Sequence, residues 1–152
     1  MRSETIESKI EQAFRCRKAC RLSYGKEGVR DETVFTEDGL ALSVWGNIVA
    51  SYNPETKVVK INHCGWKTQL TKDRINVVLS AFTNYSLIQR NYRFMLCSAF
   101  EFTVIRETGT KEAERIPNCN GLYATPLDSP LQINPDGTVE VCQKIIRRKE
   151  IA

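Results

Sequence analysis

A change of hydrophobic period across one short loop constrains this chain more than any other feature. In residues 41–51, Leu42, Val44, Ile48 and Ala50 roughly alternate with smaller or polar residues, the two-residue rhythm of a half-buried strand. Gly46-Asn47 marks a bulge within it. Asn53-Pro54-Glu55-Thr56 makes a turn, with proline pre-set at its second position, and residues 57–62 return as a second strand. Beyond Gly65-Trp66 the rhythm lengthens. Ile75, Val78, Leu79 and Phe82 form the buried stripe of a helix over residues 72–83, capped by Thr71 and carrying Asp73 in its first turn. A strand pair that feeds a helix through a glycine hinge implies an α+β fold.

The flanking segments extend this reading. Residues 3–20 form an amphipathic helix: Ser3 caps it, Glu4 and Glu7 suit its positive end, and Ile6, Ile10, Ala13 and Phe14 share one face. Residues 22–40, with Gly25, Gly28 and Gly39, read as irregular. Strands are expected at 86–89, 93–97 and 100–106. Residues 107–137 are rich in proline, glycine and asparagine and read mostly as loop, followed by a strand over 138–146 and the basic tail Arg147-Arg148-Lys149. The expected architecture is a compact α+β domain over 1–106, with a small, largely antiparallel sheet and two helices. A loop-rich extension over 107–152 packs on the same domain.

Charge and composition exclude some functions. The chain has a net charge of only +4 in 152 residues, too modest for a nucleic-acid tail. Its basic residues are grouped: residues 1–30 hold eight Lys/Arg against four Asp/Glu, and 61–95 hold five against one. That grouping allows a local anion-binding patch. No apolar run approaches the roughly 20 residues of a membrane span, and Met1-Arg2-Ser3-Glu4-Thr5-Ile6-Glu7 lacks a signal-peptide core. A cytosolic protein with reduced cysteines at 16, 20, 64, 97, 119 and 142 is expected.

The richest chemistry lies in Asn62-His63-Cys64-Gly65-Trp66-Lys67-Thr68-Gln69-Leu70-Thr71-Lys72-Asp73-Arg74-Ile75-Asn76. Gly65 permits close approach of a ligand. Trp66 offers a face for stacking. Lys67, Lys72 and Arg74 bring positive charge, and Thr68 and Thr71 bring hydroxyl donors to a helix mouth that already favours anions. Asn76 adds a polar group one turn further on. A purely structural account weighs about equally: a core tryptophan, a capping threonine and local partners for the loop. Arg90, Tyr92 and Arg93 interleave cations with an aromatic, a set that can hold a phosphate and stack on a base or serve only as a solvated turn.

Catalysis and metal binding lack their parts. His63 and Cys64 with Cys16 and Cys20 supply four zinc-type ligands, but there is no C-x2-C pair. The one histidine has no recognisable nucleophile loop beside it, and there is no P-loop, Rossmann fingerprint or paired-carboxylate signature. The expectation is a binding protein with no catalytic residues, metal or cofactor. The residues leave two other readings open. One is docking on a host or phage protein through the 107–137 loops. The other is nucleic-acid binding by Arg15, Arg17, Lys18, Arg21 and the tail, which the acidic residues elsewhere disfavour.

The segment Val44-Trp45-Gly46-Asn47-Ile48-Val49-Ala50, a short hairpin, and then Gly65 through Asn76 resemble a family of small phage and prophage proteins. Their pattern is a strand with G-N-x-I-A, a second strand, and G-W/Y-x-T-x-T-T-x-x-R-L-N opening a helix. Ile88-Gln89-Arg90-Asn91-Tyr92-Arg93-Phe94 resembles a further strand of the pattern. The likeness covers about residues 41–97. It departs from the pattern at Leu70, where threonine is usual, and at Val49, inserted before Ala50. Some such proteins are similar to phage anti-defence proteins that sequester nucleotide-derived immune signals, such as those opposing Thoeris. The resemblance implies a homo-oligomeric sponge in the host cytoplasm that binds a nucleotide-derived small molecule without cleaving it. Trp66, Thr68, Arg74 and Asn76, with Arg90 and Tyr92, would be its ligand-binding residues.

Overall fold

The computed structural model describes residues 5–117 and 121–142. Helix α1 (Ile6–Arg15) is capped by Thr5, whose hydroxyl accepts from the Ser8 N–H at 3.0 Å. The expected cap, Ser3, lies outside the described residues. The helix ends five residues earlier than expected because Arg17 adopts a left-handed φ of 54°. The N–H of Lys18 then reaches back to the Ala13 carbonyl, and that of Arg17 to Phe14. This closes the helix in a Schellman motif with no glycine to announce it.

The expectation of an irregular 22–40 is corrected. The segment forms strands β1 (Cys20–Gly25) and β2 (Gly28–Thr36), an antiparallel hairpin in which the glycines flank a tight turn. Strands β3 (Gly39–Val44), β4 (Asn47–Asn53) and β5 (Val58–Ile61) continue the meander. Helix α2 (Gln69–Phe82) starts three residues earlier than expected, with Thr68 rather than Thr71 as its cap. Strands β6 (Ser86–Arg90), β7 (Arg93–Ser98) and β8 (Thr103–Arg106) follow. The described part of the 107–137 segment lies mostly outside strands, as expected, but short strands interrupt its loops. It contains β9 (Gly109–Glu112), β10 (Glu114–Arg115), β11 (Tyr123–Pro126) and β12 (Leu131–Ile133). The last described strand is β13 (Val139–Val141). The end of the expected 138–146 strand and the basic tail fall outside the described residues.

The strands form two sheets. The larger runs β1-β2-β3-β4-β5-β12-β13-β8-β9, and the smaller β10-β11-β7-β6. Every pairing is antiparallel except β13 with β8. The late strands β12 and β13 therefore join the meander to the β8–β9 hairpin within one sheet, so these described strands are integral to the fold. Ile10 and Phe14 of α1 and Ile75, Val78 and Leu79 of α2 share one core with Leu42, Ala50 and Ile61 of the large sheet and Leu87 and Leu96 of the small one. Tyr52 of β4 stacks on Phe82 of α2, with ring centroids 3.7 Å apart. No helix among the described residues is long and apolar enough to cross a membrane.

Candidate functional site

The residues between β3 and β4 are the two-residue turn Trp45-Gly46, bracketed by the pair Val44 and Asn47. Trp45 has φ 51° and Gly46 φ 82°, the doubly left-handed form of a type I′ hairpin. Gly46-Asn47 is thus the end of a turn rather than a bulge. The bulge lies further along: Leu42 pairs with Ala50 but Ser43 with Ile48, leaving Val49 as the extra residue. Val49 is the residue inserted relative to the phage-family pattern, and here it points its side chain into a buried position against α2.

The second wall comes from the loop before α2. Cys64 (φ 54°) and Gly65 (φ 83°) turn the chain sharply, and the Trp66 N–H donates to the His63 carbonyl at 2.8 Å. Asn62 Oδ1 accepts from the Cys64 N–H, and His63 Nδ1 accepts from the Gly65 N–H at 2.9 Å. Trp66 is thereby presented outward, 59% exposed. Thr68 Oγ1 accepts from the Thr71 N–H, which leaves the first-turn amides of Gln69 and Leu70 at the helix mouth.

Trp45 and Trp66 wall a single cleft of about 430 Å³, with Val44, Val49 and Leu70 as its apolar surface and Asn47, Thr68 and Thr71 as its polar atoms. These are the only two tryptophans in the chain. The lining holds no carboxylate, imidazole or thiol. On the outer side, the Trp45 ring lies over Gly25 of β1, where a methyl group would meet the ring at 2.2 Å.

The residues expected at the site divide. Trp66, Thr68 and Thr71 line the cleft, and Lys67 is exposed beside it. Lys72 is half-buried on the first turn of α2. Arg74 points inward instead: it is 5% exposed and its guanidinium is held by Asp31 and Glu7. Asn76 is committed to the backbone of Leu87, accepting from its N–H at 2.7 Å and donating to its carbonyl at 3.0 Å. It thus extends strand β6 as another strand would. Arg90 and Tyr92 sit at the β6–β7 hairpin, on the smaller sheet, and do not line the cleft.

Sequence reasoning missed Trp45 and its neighbours as site residues. The available signal was an X-Gly pair between two alternating runs, which marks a two-residue hairpin and so an exposed tip. It also assigned Thr71 the cap, which the Thr68 hydroxyl provides one turn earlier.

The Cys64 thiol and the His63 imidazole serve the backbone. Cys64 Sγ donates to the Ile48 carbonyl at 3.2 Å, tying the loop to β4, and burial pushes its pKa up. Burial also pulls the His63 pKa below its ordinary value. Lys67 acts in the same direction, against the opposing pull of the Leu127 backbone and Asp128. Cys16, Cys20, Cys64, Cys97 and Cys142 are free thiols. Among the described residues no group of three His, Cys, Asp or Glu could hold a metal ion.

Fold and cleft together define an α+β protein built on a long antiparallel sheet, with a tryptophan-walled cleft at the mouth of its second helix. The chain belongs to the Kyanoviridae Gp96 protein family, a family of phage proteins, whose model matches residues 3–114. That match spans both tryptophans and every element that builds the cleft. Comparison with curated proteins finds no match, and comparison with solved structures finds none.

Proposed function

We propose that this phage protein binds a nucleotide-derived small molecule in the Trp45–Trp66 cleft and sequesters it intact, blunting a host defence that signals through that molecule. One observation carries the reading: both tryptophans of the chain wall one cleft at a helix N-terminus. Flat aromatic faces and an apolar floor suit a base. The Gln69 and Leu70 amides, with Lys67 and Lys72 nearby, suit a phosphate. A volume of about 430 Å³ lies within the range of small-ligand sites. A lining without carboxylate, imidazole or thiol, and so without a base to activate its threonine hydroxyls, suits holding a ligand rather than converting it. Arg74 has no part in this reading, because its donors are engaged in the interior.

The cleft supplies its own reporter. Trp45 and Trp66 are the only tryptophans, so intrinsic tryptophan emission reads this site alone. Titration with cyclic nucleotides and ADP-ribose-derived signals should quench that emission for one of them. Native mass spectrometry should then recover the same molecule unchanged and give the assembly state. Trp45→Asn is the informative variant. Asn-Gly is the favoured type I′ pair, so the hairpin should persist while the ring is lost. Retained fold with at least tenfold weaker binding supports the reading. Unchanged binding in Trp45→Asn and in Trp66→Ala overturns it, and recovery of a converted product replaces the sponge with an enzyme.

A second reading rests on the rim. Trp45, Ile48 and Trp66 are 46%, 42% and 59% exposed, an apolar surface of the kind that docks on protein. A pull-down from infected-host lysate that is lost with Trp66→Ala, when no nucleotide is retained, would favour it.

A further inference from the structure

The β6–β7 hairpin turns on Asn91 and Tyr92, with φ of 52° and 63°, between the paired residues Arg90 and Arg93. A type I′ turn prefers glycine at its second central position, and a left-handed backbone is unfavourable for a side chain as bulky as tyrosine. Burial gives nothing in return, because Tyr92 is 88% exposed. A disfavoured backbone that carries a solvent-facing aromatic is the pattern of a residue kept for contact with something else.

Its surroundings indicate what that is. Beside the hairpin lies a cleft of about 270 Å³ lined by the start of β7, by β10 and by Ala124 of β11 between them. Met95, Ile116 and Ala124 are among the apolar residues lining it, and Arg90, Arg93 and Arg115 bring three cations. Arg93 is paired with exposed Asp128. Arg115 forms no ion pair among the described residues. Glu114 is the carboxylate of the lining, and Lys111 lies 3.5 Å from it. Positive charge therefore exceeds negative charge around an apolar floor, next to a ring free to stack.

We propose that this end of the small sheet is a binding site for single-stranded nucleic acid. Tyr92 stacks on an unpaired base, the arginines meet successive phosphates, and the apolar floor receives a neighbouring base. A duplex buries its base faces and cannot offer them to Tyr92. The site shares no lining residue with the tryptophan cleft, so it stands or falls independently of the function proposed above.

The test uses the full chain and a fluorescein-labelled twelve-nucleotide single strand, read by anisotropy. Binding should weaken with salt, with a log–log slope of about −2 for three phosphate contacts to a single strand. Tyr92→Gly separates function from fold, because the two should move in opposite directions. The melting temperature should rise by about 2 °C as the left-handed strain is relieved, while affinity should fall by about tenfold or more with the loss of stacking. Arg115→Ala should lower the magnitude of the salt slope by about 0.7. Tyr92→Gly that binds as tightly as the parent overturns the proposal. So does a duplex of equal length that binds as tightly as the single strand, as does the absence of binding at low salt.

Discussion

Arg74 Nε donates to Asp31 Oδ1 at 2.8 Å, across the junction between the first turns of α2 and the middle of β2. Nη2 reaches Oδ2 of the same carboxylate at 3.4 Å, and Nη1 reaches Glu7 of α1 at 3.1 Å. Ser23 Oγ and Arg30 Nε also donate to Asp31 Oδ2. Because Asp31 is also the register partner of Val44, the last residue of β3, the pair ties helix α2 to the strand that leads into Trp45. It therefore fixes the spacing between the two walls of the cleft.

Arg74→Ala should destabilise the protein by about 3–5 kcal/mol, because it leaves the fully buried Asp31 carboxylate without its principal partner. Urea denaturation measures the loss. The contribution of half-exposed Glu7 is small by comparison. Burial alone would raise the Asp31 pKa, but the hydrogen bonds from Arg74, Ser23 and Arg30 outweigh it and hold the value below 3.8. The group is charged in the fold at pH values where the unfolded chain already takes up a proton. Its stabilisation is therefore complete above 3.8 and is lost as pH falls through the depressed folded value. Arg74→Ala should flatten this part of the acid unfolding curve.

His63 governs a second window of pH. Its Nδ1 must be unprotonated to accept from the Gly65 N–H, and burial keeps its folded pKa below 6.5. The unfolded chain therefore binds the proton first. Stability should be fully present above about pH 6.5 and decline as pH falls toward the folded pKa. Because the same hydrogen bond shapes the turn that presents Trp66, its emission should change over that window too. His63→Gln should remove both responses. A stability curve that is flat between pH 7 and 5, and the same in the variant, would refute the assignment.

How far the sequence carries the structure depends on which interactions are local. Helix α2, the β4–β5 turn and the β6–β7 pair are legible because their signals lie within a few residues: a hydrophobic stripe, Asn53-Pro54, and alternation on both sides of Arg90 and Arg93. The β1–β2 hairpin is not. Its strands are mixed in charge because Asp31 and Thr33 are buried polar residues with partners elsewhere: Arg74 for the one and the Lys18 carbonyl for the other. Strands β9 to β12 are short, and β12 is defined by pairing with β5, about 70 residues earlier in the chain, which no local pattern encodes. The site shows the same division. Trp66 and Thr68 are legible from the loop–helix motif. Trp45 is legible only as a hairpin tip, because its place beside them is set by the sheet. Arg74 and Asn76 look like ligand-facing polar residues in one dimension, yet both face inward.

Gly25 supplies the sharpest probe of that last wall. Its backbone is not left-handed, so alanine is conformationally acceptable there, but the added methyl would sit 2.2 Å from the edge of the Trp45 ring. The ring is nearly half exposed and can swing away, so the contact should move the side chain rather than break the sheet. Gly25→Ala should therefore change stability by less than about 1 kcal/mol while shifting tryptophan emission and weakening capture of whatever ligand the cleft holds. Gly39→Ala is the control for an intolerable methyl. At φ 99° its Cβ would fall 2.4 Å from the Tyr52 carbonyl oxygen, a backbone atom that cannot yield without distorting β4. Its denaturation midpoint should drop sharply. If Gly25→Ala lowers stability as much as Gly39→Ala does, the Trp45 ring is a structural cover for the β1–β2 hairpin. If it alters emission and binding alone, the ring is held over Gly25 to form a wall of the cleft.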